Sequence, residues 1–424
     1  MLAGTALALV ISVAAPVLLS RDVFSYAAYA RIDAVHHQNP YVAVPIAFRR
    51  DPFVADTAAQ WLHARSVYGP AFTLASEGMV RPWRHSPNSL ILAFKVAAGL
   101  GVAMAVACTT LAAKSARPER APVAAALVGL NPVIVVHTVG GAHVDAWLAG
   151  LLAGALALAV RPRRTAFGAG AVTVLLTAAS LIKIVALPAL VLWLWQLART
   201  APPDRRARAA LPHAGLVLVL TAATVAPFAD GWRTLTPLAT TGGLESWASP
   251  AHFVAHGLRG LVELVAGAGA GRFVEFAVLA FFLFGFVAVF IRMARRDATV
   301  EPGPAHPAGA WGPALLLLAL SLPYLLPWYA AWFVPFLGLL TDGLLMGIGT
   351  LVSVLLALTL VPADPFHGTT TPGVMIWVHD VIAPAMLVSL VVAVRRVWKG
   401  PTTGSGEGHS AAPLGSWRRW KGMT

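Results

Sequence analysis

The chain has 424 residues and a single cysteine, Cys108. No internal disulfide can form, and a cysteine-rich metal site is excluded. Charge is also scarce. Asp, Glu, Lys and Arg make up 12% of the residues, about half of the roughly 25% usual in soluble domains. Acidic residues are the rarer sign, 18 against 31 Lys and Arg. The ~10-residue alternating segments of a transmembrane barrel are missing. So is a nucleotide-binding glycine motif. GLGVA, from Gly99, lies inside an apolar run and follows no strand, which excludes a dinucleotide fingerprint.

What remains is 58% hydrophobic and falls into long runs nearly free of charge. That pattern specifies an all-α polytopic membrane protein. A bilayer demands ~20 apolar residues per helix, and about twelve spans fit when shorter, broken ones are allowed. They lie near 1–19, 89–112, 122–139, 143–160, 165–181, 184–198, 211–228, 273–292, 309–325, 330–342, 343–361 and 375–394. The first run lacks a basic stretch before it and is read as an uncleaved helix, not a signal peptide.

A net charge of +13 in a soluble chain would suggest nucleic acid. Here the basic residues gather in short connections, 114–120, 161–164, 199–208 and 292–296, and in the tail. The positive-inside rule makes those segments cytoplasmic, so no nucleic-acid partner is expected. Both termini are then cytoplasmic, in a multi-pass protein of the cell membrane. The turn at Asp342 also falls inside, without Lys or Arg of its own. Residues 1–398 read as one transmembrane domain. Residues 399–424 read as a disordered basic tail, whose Trp417, Arg418, Arg419, Trp420 and Lys421 have anionic headgroups or plain water as neighbours.

The first external loop, 20–88, holds most of the ionisable groups. DVFSYAAYARIDAV reads as a helix, NPY (39–41) stops it, and DPF (51–53) and the stretch at Tyr68 read as turns. Asp22 stands where the first span ends. A carboxylate there suits a general base toward a hydroxyl or a metal ligand; a helix cap is the competing role. Arg21, Arg31, Arg49 and Arg50 suit a phosphate or plain solvation. His36-His37 has no metal-site spacing.

Deeper in the chain, Asn131-Pro132 and Gly140-Gly141 interrupt a span and put His137, His143 and Asp145 near its external end. Ionisable groups at such depth are functional candidates. Lys183, in SLIKIVALPAL, needs an anionic partner if it lies deep and is an anchor if it snorkels. LPYLLPWYAAWFVPF (322–336) alternates prolines with aromatics, as an interfacial belt or as a stacking surface for sugars.

SRDVFSYAAYARI (20–32), NPY, DPF, SVYGPAFTL (66–74), NPVIVVHTVGGAHVDAW (131–147), LIKIVALPAL (181–190) and LPWYAAWFVPFL (326–337) occur in this order. Together they resemble the GT-C type of membrane glycosyltransferase, and most closely the polyprenol-phosphomannose-dependent α-1,6-mannosyltransferases, the MptA/MptB family. The resemblance implies a GT-C-like helical bundle. It implies a polyprenyl-phosphate mannose donor, a mannan or lipomannan-type acceptor, and inverting transfer on the external side of the membrane. It makes Asp22 the catalytic base, and Arg21, Arg31 and Lys183 the partners of the donor phosphate. Tyr26, Tyr68, His143, Asp145 and Trp328 would shape the sugar pocket. A divalent metal, magnesium or manganese, would fall to Asp22 and Asp145. Rival readings are a relative that transfers arabinofuranose or makes α-1,2-mannosyl branches, and a flippase or transporter of lipid-linked sugars.

Overall fold

The computed structural model describes residues 2–17, 19–161, 165–228, 246–297, 306–359 and 372–400. The basic tail lies outside them. Among the described residues the architecture is helical throughout, without a strand. Its α-helices are α1 (Leu2–Ala14), α2 (Asp22–Ala34), α3 (Ala59–Leu62), α4 (Pro70–Val80), α5 (Pro87–Ala116), α6 (Ala121–Gly129), α7 (Asp145–Ala159), α8 (Ala166–Ile182), α9 (Leu187–Thr200) and α10 (Arg206–Val225). They continue as α11 (Pro250–Ala266), α12 (Ala268–Asp297), α13 (His306–Ser321), α14 (Ala330–Leu337), α15 (Gly343–Ala357), α16 (Pro372–Trp377) and α17 (Ala383–Lys399).

Five helical stretches among the described residues are long and apolar enough to cross a membrane: Pro87–Ala116, Pro118–Val139, Pro203–Val225, Ala270–Arg296 and Val378–Lys399. Shorter apolar helices accompany them. α7 is buried along almost its whole length, against α5 and α8. α12 instead exposes Phe273, Phe276, Phe281 and Phe284. Such a ring-lined outer face suits hydrocarbon and not water.

Three local features bear on the sequence expectation. α6 ends at Gly129, so the interruption expected at Asn131 and Pro132 is present. Residues Val133–Val139 widen into a π-helical turn, and the Thr138 hydroxyl donates to the Val133 carbonyl at 3.0 Å. The chain reverses only at Gly140 and Gly141.

The second feature concerns 330–342. Only Ala330–Leu337 is α-helical there, eight residues, or about 12 Å, too short to cross alone. A 3-10 turn, Pro327–Tyr329, leads into it. Every residue of α14 is buried, so irregular backbone at this depth meets protein and not lipid.

Third, the Asp342 turn has no Lys or Arg of its own because other segments supply them. Arg396 Nε donates to Asp342 Oδ2 at 2.5 Å, and Arg120 Nη1 to the Leu340 carbonyl at 2.6 Å. The turn therefore sits at the same end of the bundle as two basic segments.

Candidate active site

Asp22 is the first residue of α2, and its side chain caps nothing in that helix. Its Oδ1 accepts from the Trp61 indole at 3.0 Å. Its Oδ2 lies 3.7 Å from His143 Nδ1, which also meets the Tyr26 hydroxyl at 3.4 Å. Burial pushes the Asp22 carboxyl up to about 6; the Trp61 N–H and the Lys183 ammonium pull it down, and the Asp145 charge adds to the rise. The carboxylate is thus poorly solvated and correspondingly basic.

The chain before Asp22 is held from below. Pro16 ends α1, and the buried Lys95 of α5 donates to the freed Ala15 and Pro16 carbonyls, the latter at 3.0 Å. An ammonium at a helix C-terminus is favoured by the helix dipole. It fixes where the link to Asp22 begins.

His143 comes from the hairpin after the π-turn. A Cβ on Gly141 would lie 2.6 Å from His143 Nε2, so this position requires glycine. Ala142 has a positive φ of 55°, a strained choice for a residue with a side chain. The strain directs His143 flat onto Trp328, with ring centroids 3.5 Å apart and planes 16° from parallel.

Two residues further on, Asp145 opens α7. Its Oδ1 accepts from Lys183 Nζ at 2.8 Å and from Trp332 Nε1 at 2.5 Å. Lys183 stands in extended backbone where α8 stops, which frees its side chain to turn inward. The ammonium lies 4.5 Å from the centre of Tyr329 and 5.1 Å from that of Trp332, and those rings stack at 3.9 Å. Aromatic faces stabilise a partly desolvated cation. Asp145 Oδ2 and His143 Nε2 are buried without a hydrogen-bond partner. Unspent acceptors and donors of this kind collect at functional clefts.

Tyr68 completes the wall, edge-on to Tyr26 at 4.9 Å. The loop that carries it is pinned at Gly69. The Gly69 N–H donates to the Ile182 carbonyl at 2.9 Å, and a Cβ there would stand 2.0 Å from the Leu181 oxygen. The external loop is thus fastened to the residue beside Lys183.

Asp22, Tyr26, Tyr68, His143, Asp145, Lys183 and Trp328 therefore gather in one cluster. The two arginines do not join them. Arg31 is buried against Asp51, 3.0 Å from both carboxylate oxygens, and also donates to the Arg84 carbonyl at 2.7 Å. Arg21 donates to the Asp56 carbonyl at 2.9 Å and lies 3.8 Å from the Asp56 carboxylate. Trp61, Tyr329 and Trp332 were not legible as cluster residues. Trp332 had a signal, since it follows Trp328 by one helical turn. Trp61 had none, because its partner is 39 residues away in sequence.

The described residues hold no group of three His, Cys, Asp or Glu side chains arranged for a metal ion. Asp145 has spent one oxygen on a lysine ammonium. The donor set does not fit a divalent ion.

Residues 5–199 match the family described as alpha-(1->6)-mannopyranosyltransferase, N-terminal domain. The chain is 28% identical over 345 residues to alpha-(1->6)-mannopyranosyltransferase A of Mycobacterium tuberculosis, covering 75% of this chain and 62% of that protein. It is 26% identical over 341 residues to alpha-(1->6)-mannopyranosyltransferase B of Corynebacterium glutamicum, covering 74% and 54%. The chain thus spans less than two thirds of the length of these relatives. No solved structure matches it. The stretch that carries Asp22, His143, Asp145 and Lys183 lies within the match to the alpha-(1->6)-mannopyranosyltransferase N-terminal domain, and the resemblance read from the chain's ordered motifs is borne out.

Proposed function

We propose that the protein is a membrane mannosyltransferase. It takes mannose from a polyprenyl-phosphate donor and adds it to a mannan-type acceptor with inversion, forming an α-1,6 linkage on the external side. The observation that carries this reading is that two unlike groups fall in one buried cluster, close enough for the Lys183 ammonium to act on the Asp22 carboxyl. One is a desolvated carboxylate, Asp22. The other is a cation, Lys183, held by Asp145 against two aromatic faces.

Inversion at the sugar's anomeric carbon needs one base, opposite the leaving group. Asp22 takes the proton of the attacking acceptor hydroxyl as that oxygen bonds to the anomeric carbon. The bond to the phosphate oxygen breaks, and the departing lipid phosphate gathers negative charge. Lys183 meets that charge, a stabilisation that grows toward the transition state. A carboxylate near 6 is a better proton acceptor than an ordinary one while still ionised at neutral pH. His143, stacked on Trp328, and the orphan Asp145 oxygen offer hydrogen bonds to sugar hydroxyls. Arg31 is spent on Asp51, which leaves Lys183 as the principal phosphate partner.

The Asp342 turn, covered by Arg120 and Arg396, supports a cytoplasmic location for that end of the bundle and an external one for the cluster.

The test is transfer of radiolabelled mannose from polyprenyl-phosphate mannose to a short α-1,6-mannoside, in membranes carrying the native chain or Asp22→Asn. Incorporation is expected from the native chain and not from the variant, with donor binding retained. Incorporation that survives the substitution removes Asp22 as the base. No incorporation by folded native protein removes the mannosyl reading and favours another sugar or transport.

A further inference from the structure

Among the described residues outside that cluster, a group of histidine rings surrounds Trp247. His252, His256 and His379 set their rings edge-on to it, with centroids 5.6, 5.9 and 5.5 Å away. Trp247 remains 40% exposed. Below it, His252, His256, Arg259, Gly260 and Glu263 fall on one face of α11, three or four residues apart. Together with Trp247 they line a cavity of about 580 Å³. His379 reaches Trp247 from the π-helical turn Val378–Ile382 that precedes α17. The mechanism uses none of these groups.

Charge narrows the class of ligand. Arg259 is engaged by two carboxylates, Glu263 at 2.8 Å and Glu275 at 3.3 Å. The guanidinium is outnumbered, so among the described residues the cavity lining carries no surplus positive charge for a phosphate or an anionic headgroup. Burial and the neighbouring imidazole of His256 hold His252 below its usual range, which favours a neutral ring. A part-exposed indole, imidazole rings and a guanidinium–carboxylate pair suit a neutral polyhydroxylated ring. The indole takes its apolar face, and the polar groups take its hydroxyls.

Position ties this cavity to the Asp22 cluster. Ser246 Oγ donates to the Leu325 carbonyl at 2.5 Å, and Ser249 Oγ to the Leu322 carbonyl at 2.6 Å. Leu325 is three residues before Trp328, the ring stacked on His143. Three residues span at most about 10 Å. The two sites therefore share one end of the bundle and one short strap of chain.

We infer that the Trp247 cavity is a second carbohydrate subsite, holding a sugar residue of the acceptor glycan distant from the hydroxyl that reacts. The inference rests on the mannosyl-transfer reading for the identity of the glycan, and on the cavity's own geometry for its class. A chain held at two points is retained between additions, so the subsite favours long acceptors over short ones.

The experiment measures binding of fluorescently labelled linear α-1,6-mannotetraoside and α-1,6-mannobioside to the full chain in nanodiscs, for the native protein, Trp247→Ala and Trp247→Phe. Mannose transfer by the native protein is measured in parallel. The tetraoside is expected to bind about tenfold more tightly than the bioside. Trp247→Ala should erase that advantage, and Trp247→Phe, which keeps an aromatic face and fills the same space, should keep most of it. Equal binding of the two glycans by the native protein, or an advantage that persists in Trp247→Ala, overturns the subsite. If Trp247→Ala loses the bioside as well, Trp247→Phe decides: a retained length advantage upholds the subsite and a lost one overturns it. Transfer without any Trp247-dependent length effect removes the subsite alone. A Trp247-dependent length effect without transfer upholds the glycan site and removes the transfer reading.

Discussion

Asp22 and Asp51 belong to the same loop and are almost equally hidden, at 9% and 7% exposure, yet their neighbours treat them in opposite ways. Asp51 is answered on every side. Arg31 donates to both of its oxygens, His36 Nε2 lies 2.8 Å from Oδ2, and the Phe53 N–H donates to Oδ1 at 3.0 Å. Burial alone would raise its carboxyl. The hydrogen bonds from Phe53, His36 and Arg31 outweigh that and hold it below the usual range. Phe53 and Phe48 close over the group, stacked on Arg31 at 4.0 Å and on His36 at 4.3 Å. Asp22 has one N–H, from Trp61, and burial wins. A satisfied buried carboxylate fastens a loop; an undersatisfied one keeps its basicity for chemistry.

The comparison is sharpened most by removing the cluster's charges. Asp22→Asn keeps the shape and loses the proposed base, so on the proposed mechanism the turnover number for mannose transfer should fall by about 10³-fold with the donor dissociation constant little changed. A fall of less than tenfold would break the contrast. Lys183→Met should cost about 10²-fold in turnover. Asp145→Asn, which loosens the lysine without discharging it, should cost less than Lys183→Met when measured side by side.

The clasp should respond in stability. Asp51→Asn leaves Arg31 buried and unpaired, a change worth about 3 kcal/mol, seen as earlier heat unfolding in detergent. Turnover per folded molecule should persist, and a selective loss of turnover at unchanged melting would give Asp51 a part in the chemistry. The clasp's contribution is present above the ordinary carboxyl range of about 4 and is lost as pH falls through the depressed folded value.

The smallest effect is on pH dependence. In the proposed mechanism transfer needs Asp22 ionised, so the rate should be half-maximal near pH 6 and fall about tenfold for each further unit of acid. The Trp61 N–H favours the ionised form. Trp61→Phe should therefore move the midpoint upward; a midpoint that stays or moves down would mean the titrating group is not Asp22.

Much of the cluster was legible because its residues break local rules. Asp22 ends an apolar run, Lys183 interrupts another, and His143 and Asp145 follow a Gly-Gly reversal inside a third. Each is costly in a membrane unless it is used. Arg31 was misleading for the same reason. Sequence marks a buried charge without naming its partner, and Asp51 lies 20 residues away. The span at 330–342 was overread because apolar composition does not report length in helix; Pro327 and Pro335 shorten it, and burial makes the shortening tolerable.

By itself the sequence determined the class of protein, helical and membrane-embedded, since hydrocarbon allows few ways to satisfy a backbone and composition alone selects among them. It also marked the residues too polar for their surroundings. Only the tertiary structure decided which of those meet. Lys183 pairs with Asp145 and not with a lipid, Asp22 faces His143 and Trp61, and Arg31 is withdrawn into a clasp. Electrostatic interaction falls with distance and depends on local solvation, so a charge acquires its role only when folding fixes its neighbours.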